Sequence, residues 1–498
     1  MKDVSVVEFG LRRVVIVAAV MLAALLQTLD ATIVNVALPT IEGNLGASID
    51  EGTWIITGYI ISNVVAIPLA PYLLQRFGRR RYFAASVIGF TAASLLCATA
   101  TGLWTLVLYR VVQGAFGGGL IATSQIILRS TFPDEKVGFS SALFAIALTF
   151  GPALGPTLGG MLTDAFSWQW VFIINAVPGT LAAVVILTML RNPQRPRPLP
   201  FDATGVALLA VSLGAFQYAL DEGERRDWFA DSGIVAAAVA FVAGITAFIA
   251  WELRGSRHPI VDLRIFRYGT VRIGTATAVL LGMVVFGPTV MLPQYVQNIL
   301  GFTATLSGLL ILMRALPVLV MTPLVGRLAT RLDVRLLLVA GFVLSAVSFF
   351  ALALRMTTAS DFGVFVVWLV LGGLGQSMLL VPLLVGLLRS VAPQDAPKVS
   401  SFISLSVQIG GSVASTLLVT VLDRRAFFHS DTYREAITLG SPQVRHLLSL
   451  PHGLEHAAAI VQQQAMNAGF ADSIYALVPV ALAGIALSMF LREFPAPT

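Results

Sequence analysis

Residues 14–39 read VVIVAAVMLAALLQTLDATIVNVALP, a run in which Asp30 is the only charge. About 20 apolar residues are enough for a helix to cross the hydrocarbon core of a bilayer, so this run reads as a membrane span. Lys2, Arg12 and Arg13 before it imitate the start of a secretory signal. The apolar stretch nevertheless continues to about Leu38 without a small-residue cleavage pattern, and it is expected to remain as an uncleaved first helix.

The rest of the chain repeats this pattern. Its 498 residues are 57% hydrophobic and 12% charged, against about 25% charged in a soluble domain, so the solvent is lipid. Breaking the apolar runs at charge, glycine and proline clusters predicts fourteen spans. They begin near Val14, Gly52, Tyr82, Leu103, Gly138, Trp168, Ala203, Ser232, Ile273, Ala304, Leu336, Phe362, Ser400 and Asp472. The net charge of +6 is carried by short basic clusters between spans, a pattern that orients a membrane protein and gives no reason to expect a nucleic-acid partner. With the amino terminus inside, 23 of the 32 Lys and Arg fall in inner segments, seven in outer segments, and Arg110 and Arg314 within spans. Both termini are therefore expected in the cytoplasm. Cys97 is the only cysteine, which excludes a disulfide framework and a thiolate metal site.

An internal repeat divides the chain. Leu38-Pro39 with Leu45-Gly46 follows the first span, and Leu292-Pro293 with Leu300-Gly301 follows the ninth. The next inner loops also correspond, with Arg76-Phe77-Gly78-Arg79-Arg80-Arg81 matched by the basic run from Arg327 through Arg331 to Arg335. Parallel duplicated halves are common in transporters. The expected layout is an all-α integral membrane protein: a six-helix bundle over 1–190, a linker and two inserted spans over 191–272, and a second six-helix bundle over 273–498. A long outer loop is expected at 423–471, with a helix from Glu455 to Met466 leading into the last span.

Three motifs carry a family resemblance. Leu29-Asp30-Ala31-Thr32-Ile33-Val34-Asn35-Val36-Ala37-Leu38-Pro39, Arg110-Val111-Val112-Gln113-Gly114 with Gly117 to Gly119, and Gly151-Pro152-Ala153-Leu154-Gly155-Pro156-Thr157-Leu158-Gly159-Gly160 lie in the first, fourth and fifth spans. Together they resemble the signatures of the fourteen-helix drug:proton antiporters of the major facilitator superfamily, the EmrB/QacA type. Weaker echoes occur at Trp168 with Trp170 to Asn175, Asp202 with Gly205, His258-Pro259 with Asp262-Leu263, and Gln408 to Ser412. The loop after the second span keeps Arg76, Gly78, Arg79 and Arg80 of the superfamily's cytoplasmic gating motif, but Pro71 and Gln75 stand where glycine and aspartate are usual. The resemblance implies a cofactor-free carrier in a bacterial cytoplasmic membrane, driven by the proton gradient, that exports lipophilic drugs, biocides or toxic metabolites. It also implies a periplasmic adaptor and an outer-membrane channel as partners; Gln113, within the fourth-span motif, is a candidate substrate-binding residue.

Physical chemistry singles out some of the same residues. Asp30 is the only carboxylate expected deep in a span, and intramembrane ionisable groups are costly and usually functional. It lies eight residues from the outer end of its span and Arg110 seven from the outer end of the fourth, so at ~1.5 Å per residue both sit roughly 10 to 12 Å deep. They are expected to pair, either as a proton-coupling site or as a fixed ion pair that sets helix packing. Gly151, Gly155 and Gly159 recur at four-residue spacing, which lets a neighbouring backbone approach one helix face, and Pro152 and Pro156 add bends to it. Arg314 has no evident carboxylate partner and is expected to face a wet central cavity and bind an anionic group, with carbonyl bonding as the alternative. Among His446, His452 and His456 the last two are spaced i,i+4, but no carboxylate or cysteine completes a metal site.

The sequence shows no P-loop and no nucleophile, base and oxyanion constellation of recognised spacing. Export of many drugs and dedicated export or flipping of one native metabolite, siderophore, fatty acid or lipid both remain open, because substrate pockets have no linear code. A membrane-embedded enzyme would have only Asp30, Arg110 and Arg314 for catalytic groups. A non-transporting sensor is disfavoured by the motifs in three spans.

Overall fold

In hydrocarbon a backbone N–H or C=O has no solvent partner, so a chain this apolar must satisfy those groups within helices or a closed barrel. The computed structural model takes the helical solution, with no strand among the described residues. The structure describes residues 8–47, 49–133, 136–192, 202–255, 261–329, 331–392, 395–436, 449 and 452–491. His446 and the His258-Pro259 echo lie outside them.

Fourteen helical spans are numbered here in chain order. In the first half they are α1 (Gly10–Leu45), α2 (Ile49–Ala66, continued by Ile67–Leu69 and Ala70–Phe77), α3 (Arg79–Ala98), α4 (Leu103–Thr131), α5 (Val137–Ala165) and α6 (Ala176–Met189, preceded by the single turn Trp170–Ile173). The inserted pair is α7 (Ala203–Glu222) and α8 (Ser232–Ala250). The second half comprises α9 (Gly269–Asn298), α10 (Ala304–Leu328), α11 (Val334–Arg355), α12 (Phe362–Ser377 continued by Leu380–Arg389), α13 (Ala396–Ala436) and α14 (Gly453–Tyr475 continued by Leu477–Met489). On the described residues alone, 13 of these are long and apolar enough to cross a membrane. The fourteenth, α5, is a helix of 29 residues. An even number of crossings puts Gly10 and Met489 on one side, called the termini side below.

The repeat seen in the sequence reappears in the packing. In the first half α1 lies along α5, and in the second half α9 lies along α13. Small residues make both approaches close: a Cβ at Gly159 would stand 2.5 Å from the Ile33 carbonyl oxygen, and one at Gly410 would stand 2.0 Å from that of Val279. Such contacts are how membrane helices associate where no hydrophobic force draws them together.

The inserted pair sits at the edge. Helix α7 joins both halves: its Asp221 accepts from Thr57 of α2 at 2.9 Å, while Gln217 donates to Ser412 of α13 at 2.6 Å. Helix α8 packs on α7 and leaves Val235, Val239, Val242 and Ile249 exposed, as a lipid-facing helix must.

The long outer connection expected at 423–471 is largely helix. Asp423, Arg424 and Arg425 end the apolar run of α13, yet the helix continues to Ala436, and α14 already begins at Gly453 rather than near Asp472. Charge ends a membrane span without ending a helix, provided the charges find partners. Here Arg425 pairs with Asp472 at 2.5 Å and Arg424 with Glu224 at 3.2 Å. Ala457, Val461 and Ala465, spaced by four, form the buried stripe of the added α14 turns.

Candidate functional site

Asp30 and Arg110, expected at similar depth, meet. Arg110 Nη1 donates to Asp30 Oδ2 at 2.5 Å, and the pair is sealed, with Asp30 at 0% and Arg110 at 1% exposure. Asp30 Oδ1 accepts from Gln113 Nε2 and from Asn175 Nδ2, each at 2.9 Å. The carboxylate therefore has three donors, and the guanidinium is held from further sides. Arg110 also donates to Gln113 Oε1 at 2.7 Å and to the Ile55 carbonyl at 3.3 Å, and it lies over the Tyr59 ring with 4.0 Å to the centroid. A buried charge pair is stable only when its remaining hydrogen-bonding groups are satisfied, and α2, α4 and the start of α6 supply these partners around α1.

Gln113 thus belongs to this network. It is 0% exposed and does not line the central cavity. Asn175, Ser94 and Tyr59 are members that sequence reasoning did not assign. Asn175 Nδ2 donates to Ser94 Oγ at 2.9 Å as well as to Asp30. The available signal was the appearance of polar residues inside otherwise apolar runs.

The central cavity lies on the other side of α1. Its volume is ≈ 80 Å³, enough for several waters at roughly 10–15 Å³ each. Both halves wall it: α1 contributes Thr28 and Thr32, α4 Gln125, α5 Phe144, α9 Phe286 and α13 Gln408. Gln125 falls near the end of α4, Phe144 near the start of α5 and Ser404 near the start of α13, so the cavity is displaced toward the termini side. Toward the other side α5 and α10 close on each other, where Gly308 lies directly against Thr157.

The glycine motif of α5 faces α1. A Cβ at Gly151 would meet Thr28 Oγ1 at 1.9 Å, and one at Gly155 would meet Thr32 Oγ1 at 2.0 Å. Gly160 is buried and Pro156 partly so within the same helix, while Pro152 contributes its position in that helix. In the loop between α2 and α3, Gly78 takes a φ of 81°, open to glycine. Arg76 donates to the Tyr72 hydroxyl at 2.8 Å, Arg79 to Ser130 Oγ at 2.7 Å, and the Arg80 N–H to Asn192 Oδ1 at 2.8 Å. These bonds fasten the loop to the termini side of the first half.

Arg314 departs from the expected cavity exposure. It is 5% exposed and absent from the cavity wall, and it donates to the Val284 carbonyl at 2.8 Å and the Val285 carbonyl at 3.0 Å. The reason lies in α9, where Pro288 has no N–H to give the carbonyl four residues before it, which is that of Val284. Arg314 supplies the missing donor. Arg314→Met should therefore lower thermal stability in detergent by about 1–3 kcal/mol, the cost of an unmet buried acceptor. Pro288→Ala, which restores the N–H, should recover part of that loss; a double-mutant cycle with no coupling between the two sites would contradict this assignment.

Two helical halves related by an internal repeat thus enclose a cavity, with a buried ion pair beside it. The family model described as Major Facilitator Superfamily matches residues 20–266 and 274–428, and the chain belongs to that superfamily. It is 34% identical over 465 residues to the multidrug export protein EmrB of Escherichia coli K12, covering 92% of this chain and 91% of the relative. It is also 34% identical over 420 residues to the fatty acid resistance protein FarB of Neisseria gonorrhoeae, covering 84% and 82%. Among solved structures, the proton:xylose symporter XylE superposes with a TM-score of 0.63 at 14% identity, covering 98% of this chain and 97% of the symporter.

Proposed function

We propose that this chain exports lipophilic small molecules from the cytoplasm in exchange for protons, with Asp30 as the coupling carboxylate and Arg110 as its counter-charge. The observation that carries the reading is the double role of α1. One face holds Asp30 in its sealed network, while Thr28, Ala31 and Thr32 of the same helix line the cavity. Any movement of α1 that opens or closes the cavity then acts on the Asp30–Arg110 pair.

The sign of the coupling follows from the conformation. With the cavity displaced toward the termini side, Asp30 is fully paired with Arg110, Gln113 and Asn175. On the positive-inside reading this side is the cytoplasm, where the exporter has released its proton and can load cargo. In the alternate state, parting α1 from α4 exposes the carboxylate to the outside, lets it take up a proton and drives the return. The multidrug export role of EmrB supports this reading. The test is accumulation of a fluorescent lipophilic dye in everted vesicles: accumulation should follow an imposed pH gradient and collapse with an uncoupler. Gradient-independent accumulation would count against proton exchange.

The fatty acid resistance role of FarB supports a second reading, dedicated export of one class of compound. Susceptibility profiling of an efflux-deficient bacterium expressing the chain separates the two, since a dedicated exporter protects against one chemical class. We also propose a bacterial cytoplasmic-membrane location and a periplasmic adaptor with an outer-membrane channel. The 41-residue helix α13 is roughly 60 Å long at 1.5 Å per residue, well beyond the ~40–45 Å of a full bilayer, so the outer ends of α13 and α14 stand clear of the membrane as a surface for such a partner. Deleting the adaptor should reduce efflux across the whole envelope while leaving everted-vesicle transport intact.

A further inference from the structure

We infer that the cavity selects uncharged lipophilic molecules carrying a hydrogen-bond donor, and that Gln27 and Gln125 are the residues that read that donor. The inference rests on the export reading and names its substrate class. It begins with what the cavity wall lacks: among the described residues no Asp, Glu, Lys, Arg or His lines it. Four of its hydroxyls already donate within their own helices. Thr28 donates to the carbonyls of Ala24 and Leu25, Thr32 to Leu29, Thr322 to Val318 and Ser377 to Leu374.

Two of the four glutamines on the wall differ. Gln27 on α1 is 2% exposed and Gln125 on α4 is 5% exposed, and the Oε1 atom of each is buried without a hydrogen-bond partner. Both side chains line the cavity. A buried amide oxygen left without a donor is costly, and such atoms are rare unless a function requires them. A donor carried by a molecule in the cavity that these side chains line would satisfy each oxygen. Two acceptor oxygens on one apolar wall suit a phenol, an alcohol or an amide N–H.

Charged cargo fits poorly in either sign. A cation would lose its hydration with no carboxylate to replace it, because Asp30 is sealed at 0% exposure and already has three donors. An anion would meet the two amide oxygens and, among the described residues, no cation on the wall, since Arg110 is paired with Asp30 and Arg314 is bonded to the carbonyls of α9. Gln27 also links cargo to the proton site. The Tyr59 hydroxyl donates to its backbone carbonyl at 3.4 Å, and the Tyr59 ring lies under Arg110.

The experiment is equilibrium binding to the purified full-length chain in nanodiscs, with no gradient, at pH 7. The probes are 2-naphthol, its methyl ether 2-methoxynaphthalene, and (2-naphthyl)trimethylammonium. One hydrogen bond of ordinary net strength predicts that 2-naphthol binds roughly five- to tenfold more tightly than its ether, with the cation weakest. In Gln27→Leu with Gln125→Leu the naphthol advantage should shrink to within about twofold while the ether keeps its affinity. The wild-type ranking needs no variant, so a variant that fails to fold leaves the inference testable. An ether that binds as well as the naphthol, a cation that binds best, absence of binding by all three, or a naphthol preference that survives both substitutions would each overturn it. Gradient-driven uptake of 2-naphthol into everted vesicles is read separately: binding with the expected ranking but without energised uptake sinks the export reading and leaves the selectivity standing.

Discussion

Asp30→Asn should abolish uphill transport while leaving the carrier able to equilibrate its substrate. Asparagine keeps the shape of the side chain and its capacity to accept from Gln113 and Asn175, but it cannot exchange a proton. With the electrical potential collapsed and one proton exchanged per neutral substrate, two units of pH gradient sustain about a hundredfold accumulation, since each unit is worth ~1.4 kcal/mol. Everted vesicles carrying the wild-type chain should approach that limit, and those carrying Asp30→Asn should stop at equal concentrations inside and out. Downhill exchange of preloaded substrate should persist. The substitution leaves Arg110 buried without its counter-charge, and breaking such a pair costs about 3–5 kcal/mol, so the variant needs a partner control. Asp30→Asn with Arg110→Gln removes both charges at once and should restore thermal stability without restoring uphill transport. Proton-dependent accumulation at the wild-type level by either variant eliminates Asp30 as the coupling group.

Much of this site was legible in the sequence, for a definable reason. Depth in a membrane is countable: a residue's distance from the end of its apolar run gives its height, and Asp30 and Arg110 came out level. Their pairing in the structure follows from that arithmetic together with the cost of leaving either charge alone. Asn175 was harder to assign, because it sits at the break between Trp170–Ile173 and α6, inside an apolar run that reads as one continuous span. Tyr59 reads as one more amphipathic residue until its ring is seen under a guanidinium.

The misjudged features share a different cause. Hydropathy reports the solvent a segment meets, whereas helix continuity depends on local backbone hydrogen bonds. The apolar run of α13 therefore stops near Asp423 while the helix itself runs to Ala436, and α14 starts about five turns before its apolar part. Arg314 was sent to a wet cavity by the cost of its charge. Its true partner is a carbonyl that Pro288 leaves open on another helix, a relation between residues 26 positions apart that no periodicity displays. The glycines of α5 could be predicted to allow close packing, but only the structure identifies α1 as the helix they admit.

The same close packing sets the second large effect, at the contact that shuts the cavity from the side opposite the termini. A Cβ on Gly308 would stand 1.5 Å from Thr157 Oγ1, 2.8 Å from its Cβ and 3.3 Å from its Cγ2, so no rotation of the threonine clears the space. Gly308→Val must push α10 away from α5. Overpacking of this kind costs typically 1–3 kcal/mol, and because it burdens only the conformation in which these helices touch, it shifts the equilibrium toward the opposite opening by about 5- to 150-fold. A carrier held in one state cannot complete its cycle, so export should fall by about fivefold or more. The structural readout is independent of transport. In a Cys97→Ala background, a cysteine at Leu154 should react with an impermeant maleimide applied to the side opposite the termini about five times faster or more when Gly308→Val is present. Thr157→Ala removes the Oγ1 and Cγ2 atoms that the valine meets and should return part of both effects. Unchanged labelling of Leu154→Cys in the Gly308→Val chain would mean that α5 and α10 do not form the gate.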